Sequence, residues 1–85
     1  MKQGAVRILQ EELAERGLYN GPVDSGLHPE LAAAVAALLE DRRAELSGNP
    51  AGWSEARQRV AAFQIVCKDK ACDPGPLDGL WGQLT

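Results

Sequence analysis

The chain has 85 residues, of which 45% are hydrophobic and 25% are charged, and its formal net charge is −3. This composition is typical of one small folded domain and excludes a disordered or fibrous protein. The acidic balance argues against binding to nucleic acid or to an anionic membrane surface, because both recruit basic patches.

From the residue pattern we expect neither a membrane span nor a secretory leader within these 85 residues. The longest run of small and aliphatic residues, 31–39, is too short to cross a bilayer. No apolar stretch follows Lys2 at the amino terminus. We therefore expect a protein that is cytosolic, exported without a visible signal, or cut from a longer polypeptide.

Three segments show the apolar period of amphipathic helices. The stripes are Val6, Leu9 and Leu13; then Leu31, Val35, Leu38 and Leu39; then Val60, Phe63 and Cys67. Gly17 is a typical residue to end the first helix, and Pro29 is a typical first residue of the second. We expect the second helix to run to about Leu46, and Ser54 to cap the third.

No segment alternates with the two-residue period of a strand. The sequence therefore predicts an all-α protein built as a compact three-helix bundle. Its loops are expected at roughly 18–28, 47–53 and 68–82.

Two stretches repeat one pattern without a gap. The segment VRILQEELAERGLYNGPVDSGLHPEL, from Val6, aligns with VAAFQIVCKDKACDPGPLDGLWGQLT, from Val60. The matches fall on the apolar stripe and on the turn, which a duplicated helix-turn unit has to keep. We divide the chain into a first unit at about 5–46 and an incomplete second unit at about 54–85.

The second unit stops where its second helix should begin. In the first unit the turn leads into the helix at Pro29, whereas the matching part of the second unit reaches only Thr85. We expect the missing helix to come from a longer protein or from a partner.

The ordered pattern V-x-x-L-Q-x-x-L, G-x-Y-x-G-x-x-D-G-x-F/W-G-x-x-T and A-V-x-x-F-Q resembles the peptidoglycan-binding domain of bacterial and phage cell-wall hydrolases. Here VRILQEEL, GLYNGPVDSGL, VAAFQ and DGLWGQLT supply it, and about 40–55 stays outside the match. Ser25, His28 and Leu31 depart from the family's two glycines and threonine. The resemblance implies a three-helix bundle that binds the wall polymer.

The candidate ligand-binding residues lie in the two turns. They are Tyr19, Asn20, Asp24 and Ser25 in the first copy, and Asp78, Gly79 and Trp81 in the second. Aromatic rings suit the flat C–H faces of sugars, and amides suit their hydroxyl groups.

Each candidate also has a structural interpretation. Asp24 and Asp78 can close Asx turns that lead into the next helix. Trp81 matches Leu27 and can fill the bundle. Gln10 and Gln64, the family's glutamines, are expected to bond backbone groups near the turns.

The remaining polar residues give no catalytic or metal site. No spacing in the sequence shows the second acid or base that a catalytic role of Asp24 or Asp78 would need, and a structural zinc site needs four ligands. Cys67 and Cys72 can form a disulfide or remain buried thiols. His28 is expected to cap the second helix or lie at the surface, and Trp53 to anchor its loop to the bundle.

We therefore expect a non-catalytic module, without a cofactor, that binds peptidoglycan and targets an attached or partner murein hydrolase. Its place would be the bacterial cell wall or periplasm, and a phage-encoded endolysin is a fitting parent. Nucleic acid and membrane insertion are not expected. The alternative is a protein-interaction or assembly module of the same fold, a homodimer included, which the departures at Ser25, His28 and Leu31 favour. A small wall hydrolase is disfavoured because no catalytic constellation is visible.

Overall fold

The structure is a computed structural model that describes residues 3–24, 26–71 and 77–79. These residues form helices α1 (Gln3–Glu15), α2 (Pro29–Asp41) and α3 (Glu55–Asp69), with short 3-10 turns at Arg43–Glu45 and Pro50–Gly52. The described part contains no strand. The predicted all-α three-helix bundle is thereby confirmed. No helix of this part combines the length and apolar character needed to cross a bilayer.

Three predicted helix boundaries are confirmed: the end of α1 at Gly17, the start of α2 at Pro29 and the cap of α3 at Ser54. Gly17 has a φ of +75° and donates its N–H to the Ala14 carbonyl at 3.0 Å, which closes α1. Ser54 caps α3, since its hydroxyl accepts the N–H of Arg57 at 3.2 Å.

The predicted extension of α2 to about Leu46 is wrong, because the helix ends at Asp41. The guanidinium of Arg42 bonds the Asp69 carboxylate at 2.8 and 2.9 Å, so the end of α2 lies level with the end of α3. A straight helix would carry Leu46 past the bundle. The 3-10 turn instead brings Leu46 back against the core.

The bundle has one apolar core that all three helices share. Its buried side chains are Val6, Leu9, Leu13, Tyr19, Leu31, Ala34, Val35, Leu38, Leu39, Ala61, Ala62, Ile65, Val66 and Leu77. The stripes predicted on α1 and α2 are confirmed as core. Burial of this apolar surface is the main stabilising contribution to the fold.

The stripe predicted on α3 is only partly right. Val60 is buried, but Phe63 and Cys67 are only half-buried. The deepest positions of α3 are Ala61, Ala62 and Ile65, each 0% exposed. Because α3 packs against both α1 and α2, its buried face is broader than a single stripe, and alanines allow the close approach.

A charge cluster joins the carboxyl ends of the three helices. We call it the Asp69 cluster; its members are Arg16, Arg42, Glu45, Lys68 and Asp69. Arg16 reaches Asp69 at 2.9 Å, and Lys68 reaches Glu45 at 2.7 Å. Hydrogen bonds from Arg42, above all, lower the pKa of Asp69 to about 2 and that of Glu45 to about 2.

The loop between α2 and α3 is fastened to the bundle by Trp53, as predicted. Its ring is half-buried against the core, and the guanidinium of Arg57 lies 4.4 Å from the ring centroid. The N–H of Ser47 donates to the Leu77 carbonyl at 3.0 Å, which ties the same loop to the second turn.

Candidate functional site

The first turn, described at residues 20–24 and 26–28, is held from inside the bundle by Gln10. This side chain is 0% exposed, and its amide N–H donates to the Gly26 carbonyl at 2.7 Å. Its carbonyl oxygen accepts the N–H of Asp24 at 3.0 Å. The expectation that Gln10 bonds the turn backbone is confirmed, and burial makes these bonds costly to lose.

Tyr19 holds the same turn from its other side. Its ring belongs to the core and is 3% exposed, and its hydroxyl donates to the Pro22 carbonyl at 2.5 Å. Burial, with the nearby charges of Asp24 and Glu30, raises the pKa of Tyr19. A ring so enclosed has no open face for a sugar. In this structure Tyr19 therefore supports the turn, and a ligand would have to meet its other residues.

Gly21 leaves the space that the Tyr19 hydroxyl occupies. A Cβ atom at Gly21 would lie 2.7 Å from that oxygen and 2.9 Å from a carboxylate oxygen of Glu30. Both separations are well inside van der Waals contact. Any larger residue at this position would displace the hydroxyl from Pro22.

Asp24 closes the Asx turn that the sequence predicts. One of its carboxylate oxygens accepts the Gly26 N–H at 3.0 Å and lies 2.8 Å from Nε2 of His28. The Gly26 bond, followed by the His28 bond, lowers the pKa of Asp24. The carboxylate is therefore ionised at neutral pH and already has two partners.

His28 stands at the N-cap position of α2, as expected, but its side chain does not cap the helix. The ring pairs with Asp24 instead, four residues earlier. This contact tightens the turn just before Pro29. It gives His28 a structural role at the edge of the candidate site.

The outward face of the first turn exposes both polar and apolar side chains. We call it the turn surface; it consists of Asn20, Pro22, Val23, Asp24 and Leu27. Val23 is 37% exposed and Leu27 is 61% exposed. The apolar members are not among the residues predicted from the sequence. The available signal was that Leu27 precedes Pro29 and so lies outside the stripe of α2.

The exposure of Leu27 also removes the reason for placing Trp81 in the core. That expectation depended on the match between Trp81 and Leu27, and Leu27 faces solvent. Trp81, Ser25 and Cys72 themselves lie outside the described residues. The candidate roles of Trp81 and Ser25 and the Cys67–Cys72 disulfide therefore stay predictions.

The second turn is held to α3 as the first is held to α1. The N–H of Gly79 donates to the side-chain carbonyl of Gln64 at 2.9 Å, as expected of the second glutamine. Arg57 Nε donates to the Asp78 carbonyl at 2.9 Å. The repeat thus extends from the sequence to a shared glutamine-to-turn contact.

Gly79 has a conformation and a position that require glycine. Its φ is +72°, and a Cβ atom would lie 2.6 Å from the carbonyl oxygen of Arg57. The residue is buried, and Asp78 is half-buried. Both belong to the close contact between the second turn and the start of α3, while Asn20 and Asp24 are exposed on the first turn.

Within residues 3–24, 26–71 and 77–79, no group of three or more His, Cys, Asp or Glu side chains could hold a metal ion. The turn surface presents hydrogen-bonding groups on Asn20 and Asp24 and apolar side chains on Val23 and Leu27. Comparison of the chain with protein-family models, with curated proteins and with solved structures finds no match.

Proposed function

We propose that this chain is a non-catalytic module that binds peptidoglycan and keeps a murein hydrolase, attached or associated, close to its substrate. The observation that carries the proposal is the turn surface, an exposed set of side chains on a backbone fixed from inside by Gln10 and Tyr19. Because such a turn is already ordered, binding loses little conformational entropy.

The turn surface offers the contacts that a glycan chain needs. The exposed amide of Asn20 and the carboxylate of Asp24 can bond sugar hydroxyl groups. Val23 and Leu27 provide apolar contact for the C–H faces of the rings. A single turn makes few contacts, so we expect weak binding at each site. A tethered enzyme still gains, because weak attachment to a polymer raises its local concentration.

The chemistry of Asp24 supports a binding role over a hydrolytic one. A general acid for glycoside cleavage needs a carboxyl group whose pKa is raised, so that it holds a proton at neutral pH. The pKa of Asp24 is lowered, and its oxygen is committed to Gly26 and His28. We place the module in the bacterial cell wall or periplasm, with a hydrolase of bacterial or phage origin as its partner.

Co-sedimentation with purified insoluble peptidoglycan tests the proposal. We expect the wild-type chain to leave the supernatant with the polymer, and the double variant Asn20→Ala, Leu27→Ala to remain in it. Ile8→Ala is the matched control, because Ile8 is also exposed, at 48%, and lies about 200° around α1 from Gln10. It should pellet like the wild type.

Two outcomes would count against this function. The wild-type chain could stay in solution while a known wall-binding protein pellets, which would remove peptidoglycan as the ligand. The double variant could pellet as well as the wild type with its helical circular dichroism unchanged, which would remove the turn surface as the site.

A second function, protein interaction or assembly, is supported by the apolar members of the same surface. Val23 and Leu27 are both exposed, and burying such apolar side chains against a partner would favour association. Sedimentation velocity over a range of concentrations tests the homodimer. A dimer that Leu27→Ala dissociates would favour assembly, and a monomer at all concentrations would exclude self-association.

A further inference from the structure

A groove of about 190 Å³ lies on another part of the molecule, between α2, the second 3-10 turn and α3. It is lined by Ala36, Leu39, Glu40, Arg43, Asn49, Pro50, Ala51 and Gln58. Ala36, Leu39, Glu40 and Arg43 belong to the first repeat unit, whereas Asn49, Pro50 and Ala51 lie between the two units. The groove therefore lies where the first unit, the segment between the units and the first turns of α3 meet.

Two amide side chains line the groove, and one end of each amide is already hydrogen-bonded within the protein. The carbonyl oxygen of Asn49 accepts the Ala51 N–H at 3.1 Å, which leaves its NH₂ group to donate. Gln58 uses its NH₂ group on the carbonyls of Pro50, at 2.9 Å, and Trp53, at 3.2 Å. Its own carbonyl oxygen is left to accept. The groove thus presents one donor and one acceptor of defined type.

Two opposite charges stand on its rim. The guanidinium of Arg43 is 3.8 Å from a carboxylate oxygen of Glu40, too far for a hydrogen bond, and both side chains are more than half exposed. Arg42, the next residue along the chain, has its guanidinium engaged by Glu45 and Asp69. The N–H groups of the Arg43 guanidinium can therefore donate hydrogen bonds to a ligand.

The floor between these polar groups is apolar and small. Ala36, Leu39 and Pro50 form it, and the volume lies below the range of about 300–1,000 Å³ that drug-sized ligands need. A side chain no larger than a few carbon atoms suits this floor. The complementary ligand carries an anion, a cation and small apolar groups within a short length.

We propose that the groove binds the carboxyl end of the short peptide arm of peptidoglycan. Arg43 and Asn49 would hold the terminal carboxylate, the floor would take small side chains, and Gln58 would accept a peptide N–H. Glu40 would pair with the amine of a diamino residue upstream. The source of the peptide rests on the proposed function, whereas the peptide chemistry rests on the groove itself.

The test is a titration of the ¹⁵N-labelled full chain with the tripeptide L-Lys-D-Ala-D-Ala, followed by NMR. We expect saturable shifts of the Asn49, Ala51 and Gln58 signals. The C-terminal amide of the same peptide should bind at least about tenfold more weakly, because the charge-assisted bonds are lost. Equal binding of acid and amide would overturn the proposal, and so would shifts confined to the turn surface.

Two variants locate the carboxylate. Arg43→Gln should weaken binding about tenfold or more, while Arg7→Gln, the same change at an exposed arginine on α1, should not alter it. Asn49→Asp keeps the acceptor for the Ala51 N–H but replaces the donor with a negative charge, so it should also weaken binding. Unchanged affinity in both Arg43→Gln and Asn49→Asp would overturn the assignment.

Sedimentation with insoluble peptidoglycan separates this inference from the proposed function. Reduced pelleting of Arg43→Gln would support the wall peptide as the ligand. Full pelleting of Arg43→Gln, with the turn-surface variant left in solution, would overturn that source while the proposed function stands. Peptide binding by a chain that does not pellet would support the groove chemistry and overturn both the wall as its source and the proposed function.

Discussion

Replacing Gln10 with methionine tests most directly how the first turn is held. Methionine has nearly the same length and volume, so the core position stays filled. The change removes the bond from Asp24 N–H, 3.0 Å long, and the bond to the Gly26 carbonyl, 2.7 Å long. Because Gln10 is 0% exposed, no water replaces its amide at that site.

The expected loss follows from these two bonds. Each contributes about 1 kcal/mol net, and a backbone group left without a partner costs about 1–3 kcal/mol where water cannot reach it. Asp24 is exposed and Gly26 is half-buried, so part of this cost is recovered by hydration. We expect the free energy of unfolding to fall by about 2–4 kcal/mol. For 85 residues the total is about 4–13 kcal/mol, so the change is large.

Urea unfolding of Gln10→Met and of the control Glu11→Met measures this loss. Glu11 is the next residue and is exposed, so its replacement should change stability by less than about 0.5 kcal/mol. Hydrogen exchange at the Asp24 N–H should accelerate in Gln10→Met alone. A loss below about 0.5 kcal/mol with unchanged Asp24 exchange would refute the role assigned to Gln10.

Three further predictions concern the rest of the fold. Gly79→Ala should destabilise the chain by more than about 1 kcal/mol, because the positive φ and the 2.6 Å approach to Arg57 exclude a methyl group. Gly52→Ala, with open space around it, should be nearly neutral. Thermal unfolding compares the two variants, and equal melting temperatures would contradict the contact at Gly79. Tyr19→Phe should lower the free energy of unfolding by about 1 kcal/mol, because it loses the hydrogen bond to Pro22. The variant should still pellet with peptidoglycan. A folded Tyr19→Phe that no longer pellets would instead show that the hydroxyl contacts the ligand. The free energy of unfolding should fall as the pH drops from about 5 towards 2, because the folded pKa of Asp69, about 2, lies below its ordinary value of 3.8 and its stabilising contribution is lost on protonation. Unfolding curves of Asp69→Asn should depend less on pH over that range. The same pH dependence in Asp69→Asn and the wild type would contradict this role of Asp69.

The parts of the fold that local chemistry decides could be predicted from the sequence. Gln10 next to a core stripe has to satisfy its amide, and the turn backbone is the nearest partner. The end of α2 could not be predicted in this way. Leu46 continues the apolar period, and the contact found at the end of the helix, from Arg42 to Asp69, joins residues that are 27 apart in the sequence.

The candidate site was harder to predict because a loop residue has no periodicity to show which way it points. Tyr19 and Leu27 belong to the same loop between α1 and α2, yet Tyr19 is buried and Leu27 is exposed. The sequence favours the opposite arrangement, since an aromatic ring suggests sugar contact and a leucine suggests core. The groove depends on where the 42–54 loop packs against α2, which is likewise a long-range property.

Gln10 and Tyr19 fix the backbone of the first turn from inside the bundle, so the residues of the turn serve two separate purposes. Some provide the main-chain groups that are bonded, and others only present their side chains to solvent. The backbone is fixed by bonds to Pro22, Asp24 and Gly26 that use main-chain atoms of the turn. The side chains of Asn20, Val23 and Leu27 point outward and are not needed for those bonds. These three positions can therefore be randomised as a display loop, and the bundle would serve as a small scaffold on which new binding specificities are selected.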